Sequence, residues 1–305
     1  MAVLIGRAAL IINPASRRGA AAEARVRRAF AAAGVSPTVR YTECAGDGER
    51  VARELAPAHD CLFVLGGDGT VMEAVTGLAA VEADLPVGIL PGGTGNQLAR
   101  AMHIPLSPSR AVRALLRGNA DQRMDLGQLN GHRRVGIGAG IGLDAVMTRD
   151  ARGALKRWLG VLSYFVTATR AAWRPRRFGV RAVVDGEVVE REAAVAMVLN
   201  LGRVMNGLIE MAPGSSLLDG QLDLVIVDAK SLRDAISFTF REMVLRARRV
   251  DRRWTYRRGR SITLEVAEPG IPAQVDGDLI EANRLAVDVM PMGGRFLLPA
   301  GVRLR

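Results

Sequence analysis

Short apolar runs and helix-patterned stretches alternate along the first 120 residues. Runs rich in branched residues at Ala8–Ile12, Pro37–Tyr41, Leu62–Leu65 and Val87–Leu90 are separated by alanine-rich stretches such as Ala20–Ala33 and Val71–Ala80. That alternation predicts βαβ units, and hence a parallel sheet with helices on both faces. Ligands of such sheets sit at the carboxyl ends of the strands, where the glycine-rich segments of this chain fall. Past about Leu126 the pattern changes. Helices are expected over Leu143–Arg152, Leu155–Trp173 and Leu232–Arg249. Strands are expected over Gly179–Val184, Ala193–Leu201, Gln221–Val227, Ser261–Val266, Ala273–Val275 and Arg284–Met290. Asp-Gly pairs at 185–186, 219–220 and 276–277 read as turns. The expectation is an α/β domain over 1–125 and a β-rich, sandwich-like domain over 126–290.

Composition narrows the class. At 305 residues, with 49% hydrophobic and 24% charged positions, the chain has material for two ordinary cores. Cys44 and Cys61 make no disulfide framework and fit a reducing compartment. His59, His103 and His132 are scattered, which argues against zinc. The net charge of +11 is uneven: 14 basic and 12 acidic side chains through residue 125, then 28 and 19. The second half is therefore expected to face something anionic, lipid headgroups or nucleic-acid phosphates. Met1–Ile12 lacks a basic leader and a small-residue cleavage site, so it reads as a first strand rather than a signal peptide. The longest apolar stretch, Trp158–Thr169, is shorter than the roughly 20 residues of a spanning helix. Membrane contact is expected to be peripheral, and the location cytoplasmic.

Two loops carry the chemistry. Gly66-Gly67-Asp68-Gly69-Thr70 follows a predicted strand and precedes a helix. Its glycines let backbone N–H groups approach a phosphate, and the helix N-terminus adds partial positive charge. An acid in such a loop repels phosphate unless a cation intervenes, so Asp68 implies Mg²⁺ carried in with a nucleotide. Thr70-x-x-Glu73 also reads as a capping box. Pro91-Gly92-Gly93-Thr94-Gly95-Asn96 has the same setting before a helix over Gln97–Met102, and Thr94-x-x-Gln97 offers a second box. Two such loops on neighbouring strands would form opposite walls of one phosphate cleft. Neither is a Walker A motif nor a Gly-x-Gly-x-x-Gly fingerprint. Asn13-Pro14-Ala15-Ser16, with Arg17 and Arg18 next, supplies further donors or a helix cap.

Asn13-Pro14-x-Ser16, Gly66-Gly67-Asp68-Gly69-Thr70 and Pro91-x-Gly93-Thr94-x-Asn96 together resemble the nucleotide-loop motifs of the diacylglycerol kinase catalytic family. The likeness continues in order through Asp125, Gly142-Leu143-Asp144-Ala145, Gly160, Tyr164, Asn200, Ala212-Pro213, Asp219-Gly220-x-Leu222-Asp223 and Asp276-Gly277-Asp278. The resemblance implies a Rossmann-like nucleotide domain followed by a β-sandwich domain that receives the lipid, with the tail over 291–305 returning to the first. It implies ATP held by Asn13, Pro14, Ala15, Ser16 and Arg17, by Thr42, by Gly67, Asp68, Gly69, Thr70, Val71, Met72 and Glu73, and by Thr94. A structural Mg²⁺ would fall on Asp219, with the backbone oxygens of Ser216 and Gln221. Asp278 stands where the family has a glutamate as general base, one methylene shorter, and Gln97 replaces a common aspartate. Asp185-Gly186-Glu187 has the letters of the last motif but lies before the Asp219 turn, so it reads as an ordinary hairpin.

The implied activity is transfer of the ATP γ-phosphoryl group to a lipid hydroxyl, with the acceptor lipid left open. Between 241 and 260 lie nine arginines (241, 246, 248, 249, 252, 253, 257, 258 and 260) with Phe238, Phe240, Trp254 and Tyr256 interleaved or adjacent. Given a lipid kinase, this segment is expected to dock on an anionic bilayer rather than on nucleic acid. A homodimer is compatible with the sequence. The competing readings are an NAD kinase-like enzyme, since that family shares the Gly-Gly-Asp-Gly-Thr loop, and a non-catalytic lipid- or nucleotide-binding protein of the same fold.

Overall fold

In the computed structural model the described residues are 5–17, 19–117, 119–142, 176–204, 209–229 and 254–304. The helices expected over Leu143–Arg152, Leu155–Trp173 and Leu232–Arg249 lie outside them, as do Arg241 to Arg253 of the basic segment. The chain divides into two units, 1–126 with 132–136 and 290–305, and 127–131 with 137–289.

In the first unit β1 (Ala8–Ile12) is followed by α1 (Gly19–Ala31), β2 (Thr38–Tyr41), α2 (Asp47–Leu55), β3 (Cys61–Gly66) and α3 (Asp68–Ala80). Then come β4 (Val87–Pro91), α4 (Gln97–Ala101), α5 (Pro108–Arg117), β5 (Asn119–Leu129) and β6 (Arg133–Val135). The first four strands are parallel in the order β2-β1-β3-β4. β1, β3 and β4 are buried at every position, which is what helices on both faces require. Phe30 of α1 meets Phe63 of β3 edge to face, with ring centroids 4.9 Å apart. The order 2-1-3-4 reverses direction between β1 and β3, and that switch point is where an open α/β sheet leaves a crevice.

The second unit contains β7 (Gly138–Gly142), β8 (Phe178–Val184), β9 (Glu187–Ala193), β10 (Val195–Leu199), β11 (Arg203–Val204), β12 (Ile209–Glu210) and β13 (Leu222–Val227). It continues with β14 (Trp254–Gly259), β15 (Ser261–Val266), β16 (Ala273–Val275) and β17 (Asp278–Ile280). β18 (Arg284–Pro299) begins here and ends in the first unit, where Phe296 pairs with Val87. One antiparallel sheet runs β9-β8-β15-β18, and the other runs β14-β13-β10-β7-β16-β17. They face each other closely enough that a Cβ on Gly259 of β14 would come within 2.6 Å of Val184 of β8. The single strand expected over Ala193–Leu201 is divided: β9 ends at Ala193 in one sheet and β10 starts at Val195 in the other. β7, sequence Gly-Ala-Gly-Ile-Gly, has Ile141 as its one strand-forming residue and carries too little strand signal to be expected, yet it is buried throughout between β10 and β16.

Candidate active site

The loops after β1, β3 and β4 meet at the carboxyl ends of adjacent strands. Gly92 and Gly93 N–H both donate to the Gly66 carbonyl, at 2.7 and 3.2 Å. A Cβ on Gly93 would lie 2.7 Å from the Gly67 Cα, and one on Gly92 would lie 3.0 Å from Ser16 Oγ. Only glycine permits backbones to approach this closely. Across the switch point Asn13 N–H donates to the Leu65 carbonyl at 2.9 Å, and Asn13 Nδ2 donates to Thr70 Oγ1 at 2.8 Å. Asn13 also winds its own loop, accepting from Ser16 N–H at Oδ1 and from Ser16 Oγ at its carbonyl. Asn96, in the left-handed region at φ 47°, closes the β4 loop by bonding both N–H and C=O of Gly93.

Neither expected capping box forms. α3 starts at Asp68 with Gly67 as its N-cap, so Thr70 already lies inside the helix and its hydroxyl goes to Asn13. Glu73 reaches away from that helix end, accepting from Gly46 and Gly48 N–H at the start of α2. At α4 the cap comes from another helix: Asp68 Oδ2 and Oδ1 accept from Gln97 and Leu98 N–H, each at 3.0 Å. Gln97 Oε1 is buried without a partner instead of capping.

Asp68 thus ties the two loops together, a link that sequence order alone did not reveal. Burial pushes its carboxyl above the ordinary aspartate range, against the pull of the Gln97, Leu98, Asp68 and Asn96 N–H groups. Among the described residues no basic side chain pairs with it. A desolvated carboxyl of this kind is stabilised as the anion by a nearby cation, so Mg²⁺ arriving with a nucleotide fits this position. Pro14, Ala15 and Arg17 are exposed beside the cradle, and Gly67, Asp68, Gly69 and Thr94 keep part of their surface. Thr42 is buried after β2, its N–H on the Ile12 carbonyl. Val71 and Met72 are 1% exposed, so their side chains serve the core and only their backbone is left for a nucleotide.

In the second unit Asp278 opens the short edge strand β17, half-buried. The Asp276-Gly277 turn before it joins Val275 to Asp278 with both turn residues at positive φ, the two-residue hairpin geometry. Asp276 Oδ1 accepts from Ile137 and Gly138 N–H at 2.7 and 3.0 Å.

At the loop of the expected Mg²⁺ set, Ser216, Asp219 and Gln221, both Asp219 carboxylate oxygens have protein partners. Asp219 Oδ1 accepts from Gln221 N–H at 3.1 Å, and Asp219 Oδ2 is bonded by Arg258 Nη2. Arg258 Nε also donates to Asp223 Oδ1 at 3.1 Å, beside the Tyr256 hydroxyl at 2.7 Å. Burial opposes the Arg258 charge, but the two carboxylates outweigh it and hold the guanidinium above the ordinary arginine value. Arg258 is also one of the nine arginines of the 241–260 segment.

Residues 7–129 match the family model of the diacylglycerol kinase catalytic domain, and residues 138–296 match that of the YegS C-terminal NAD kinase beta sandwich-like domain. A diacylglycerol kinase of Bacillus subtilis (strain 168) is 32% identical over 277 residues, 89% of each chain. One from Staphylococcus saprophyticus is 30% identical over 203 residues, 66% of each chain. Two solved structures from Bacillus anthracis str. Sterne share the fold. One, described as a diacylglycerol kinase, has a TM-score of 0.73 at 22% identity and covers 99% of this chain and 100% of its own. The other has a TM-score of 0.80 at 24% identity, covering 98% and 99%. With a relative of matching length above 30% identity and two family models laid end to end along it, the chain belongs to the diacylglycerol kinase family and is a kinase.

Proposed function

We propose that this kinase transfers the γ-phosphoryl group of ATP to the hydroxyl of a diacylglycerol-like lipid, working peripherally at an anionic membrane surface. The observation that carries the reading is the meeting of the Gly67 and Gly93 loops, one backbone against the other, beside the β1–β3 switch point. Loop amides and the α3 N-terminus offset phosphate charge there, and Asn13, Ser16 and Arg17 border the same cradle. Mg²⁺ carried by the nucleotide would neutralise the phosphate oxygens beside Asp68. Asp278 accepts the proton of the lipid hydroxyl as its oxygen bonds to the γ-phosphorus, the bond to the bridging oxygen breaks, and ADP leaves. The name of the matched sandwich domain keeps phosphorylation of NAD as a second reading.

Labelled ATP incubated with a lipid extract, and separately with NAD, tests both. The expected result is label in a lipid whose free hydroxyl becomes a phosphate monoester. Asp68→Ala is expected to remove that label while the circular dichroism spectrum is kept. Label in NAD alone, or full activity in Asp68→Ala, counts against the assignment.

A further inference from the structure

Asp219, Asp223 and Arg258 form a cluster that the phosphoryl-transfer reading does not use. β13 and β14 are antiparallel with Asp223 directly opposite Arg258, so the pair is set by strand register. Asp223 is 1% exposed, and its charge has to be answered inside the unit. Tyr256, two residues from Arg258 along β14, sends its hydroxyl to the same Asp223 oxygen. Its ring packs against the cluster of Met197, Leu199 and Val225. From this fixed strand Arg258 reaches past Asp223 to Asp219 in the loop before β13, bonding one carboxylate through Nε and the other through Nη2. The remaining Asp219 oxygen closes the loop on Gln221 N–H.

A structural divalent cation at this loop would have Asp219 as its only charged ligand among the three expected. It would compete for that carboxylate with a guanidinium that stays charged at every accessible pH. We infer that in this chain Arg258 serves as the built-in cation of the Asp219 loop, so that the second unit folds and holds Asp219 without a bound divalent ion. A divalent ion pins a loop by coordination. Arg258 does so by charge-assisted hydrogen bonds from a strand whose register already fixes its position.

The proposal is tested on the full chain without nucleotide. Thermal unfolding of the wild type is expected at the same midpoint in millimolar Mg²⁺ and in EDTA. Arg258→Met keeps an apolar stem but removes the cation from both carboxylates. It is expected to melt several degrees lower in EDTA and to recover part of that loss in Mg²⁺. Adding Asp219→Ala to Arg258→Met is expected to abolish the recovery. Calorimetric titration of the wild type with Mg²⁺ alone needs no variant to fold, and no saturable site dependent on Asp219 is expected. A stoichiometric wild-type site lost in Asp219→Asn, or a wild-type midpoint that falls in EDTA, would overturn the proposal. So would an Arg258→Met midpoint insensitive to Mg²⁺.

Discussion

Asp185-Gly186-Glu187 and Asp276-Gly277-Asp278 differ by one methylene, and they fold the same way. Each Asp-Gly pair has both residues at positive φ and joins two antiparallel strands. Each aspartate clamps a third strand: Asp185 donates its N–H to the Ser261 carbonyl and accepts from Arg260 and Ser261 N–H. Asp276 does the same with Gly138 and Ile137. In both cases the acid after the glycine starts an edge strand. The surroundings differ. Glu187 begins a seven-residue strand paired along its whole length, and both it and Asp185 are exposed. Asp278 begins a three-residue stub, and Asp276 is 7% exposed. Identical turn chemistry therefore supports two jobs, an ordinary hairpin and a mount for an acid. On a short stub the ladder contributes little, so the position of Asp278 depends on the Asp276 clamp and on Gly277 N–H donating to Gln274 Oε1 at 2.8 Å.

The sharpest way to separate the two turns is to neutralise the acid in each. Asp278→Asn is expected to lower kcat by a factor on the order of 10²–10⁴, the usual contribution of a general base, whereas Glu187→Gln leaves it unchanged. Equal effects on steady-state rates would erase the distinction. The clamps come next. Asp276→Ala strands two buried N–H groups and is expected to cost roughly 1–3 kcal/mol by denaturant unfolding, with a fall in kcat as the stub shifts. Asp276→Asn keeps an acceptor and is expected to recover most of both losses. The exposed Asp185→Ala is expected to cost about 1 kcal/mol or less without touching kcat. A comparable stability loss at both positions would mean that burial is not what distinguishes the turns. The smallest change tests arm length: Asp278→Glu is expected to alter kcat by less than about tenfold, with KM for ATP constant. A hundredfold drop would show that the turn has settled around the shorter aspartate.

The edges of the α/β half were legible because their signals are local. Glycine clusters, branched runs and alanine-rich stretches mark β1, β3, β4 and α3 to within a few residues. The lipid-kinase motifs were readable for the same reason, since each loop is contiguous in the chain. What stayed hidden depends on partners distant in sequence. β7 is a strand because β10 and β16 flank it, so a glycine-rich stretch with Ile141 as its one strand former could not announce itself. Thr70, Glu73 and Gln97 carry the letters of helix caps but bond to other elements, or to nothing, once α2, α3 and α4 are assembled.

The chain by itself determined where glycine-rich strand-to-helix loops must form, because glycine content and strand-to-helix order are properties of neighbouring residues. It also determined which acids open tight turns. Only the tertiary structure decided what each charge answers. Asp68 holds the start of α4 through both carboxylate oxygens, and Arg258 answers Asp219 and Asp223. The physical reason is that a charge takes its meaning from whichever opposite charge or N–H lies within a few ångströms. Those neighbours come from strand register and helix packing, which residue order does not display.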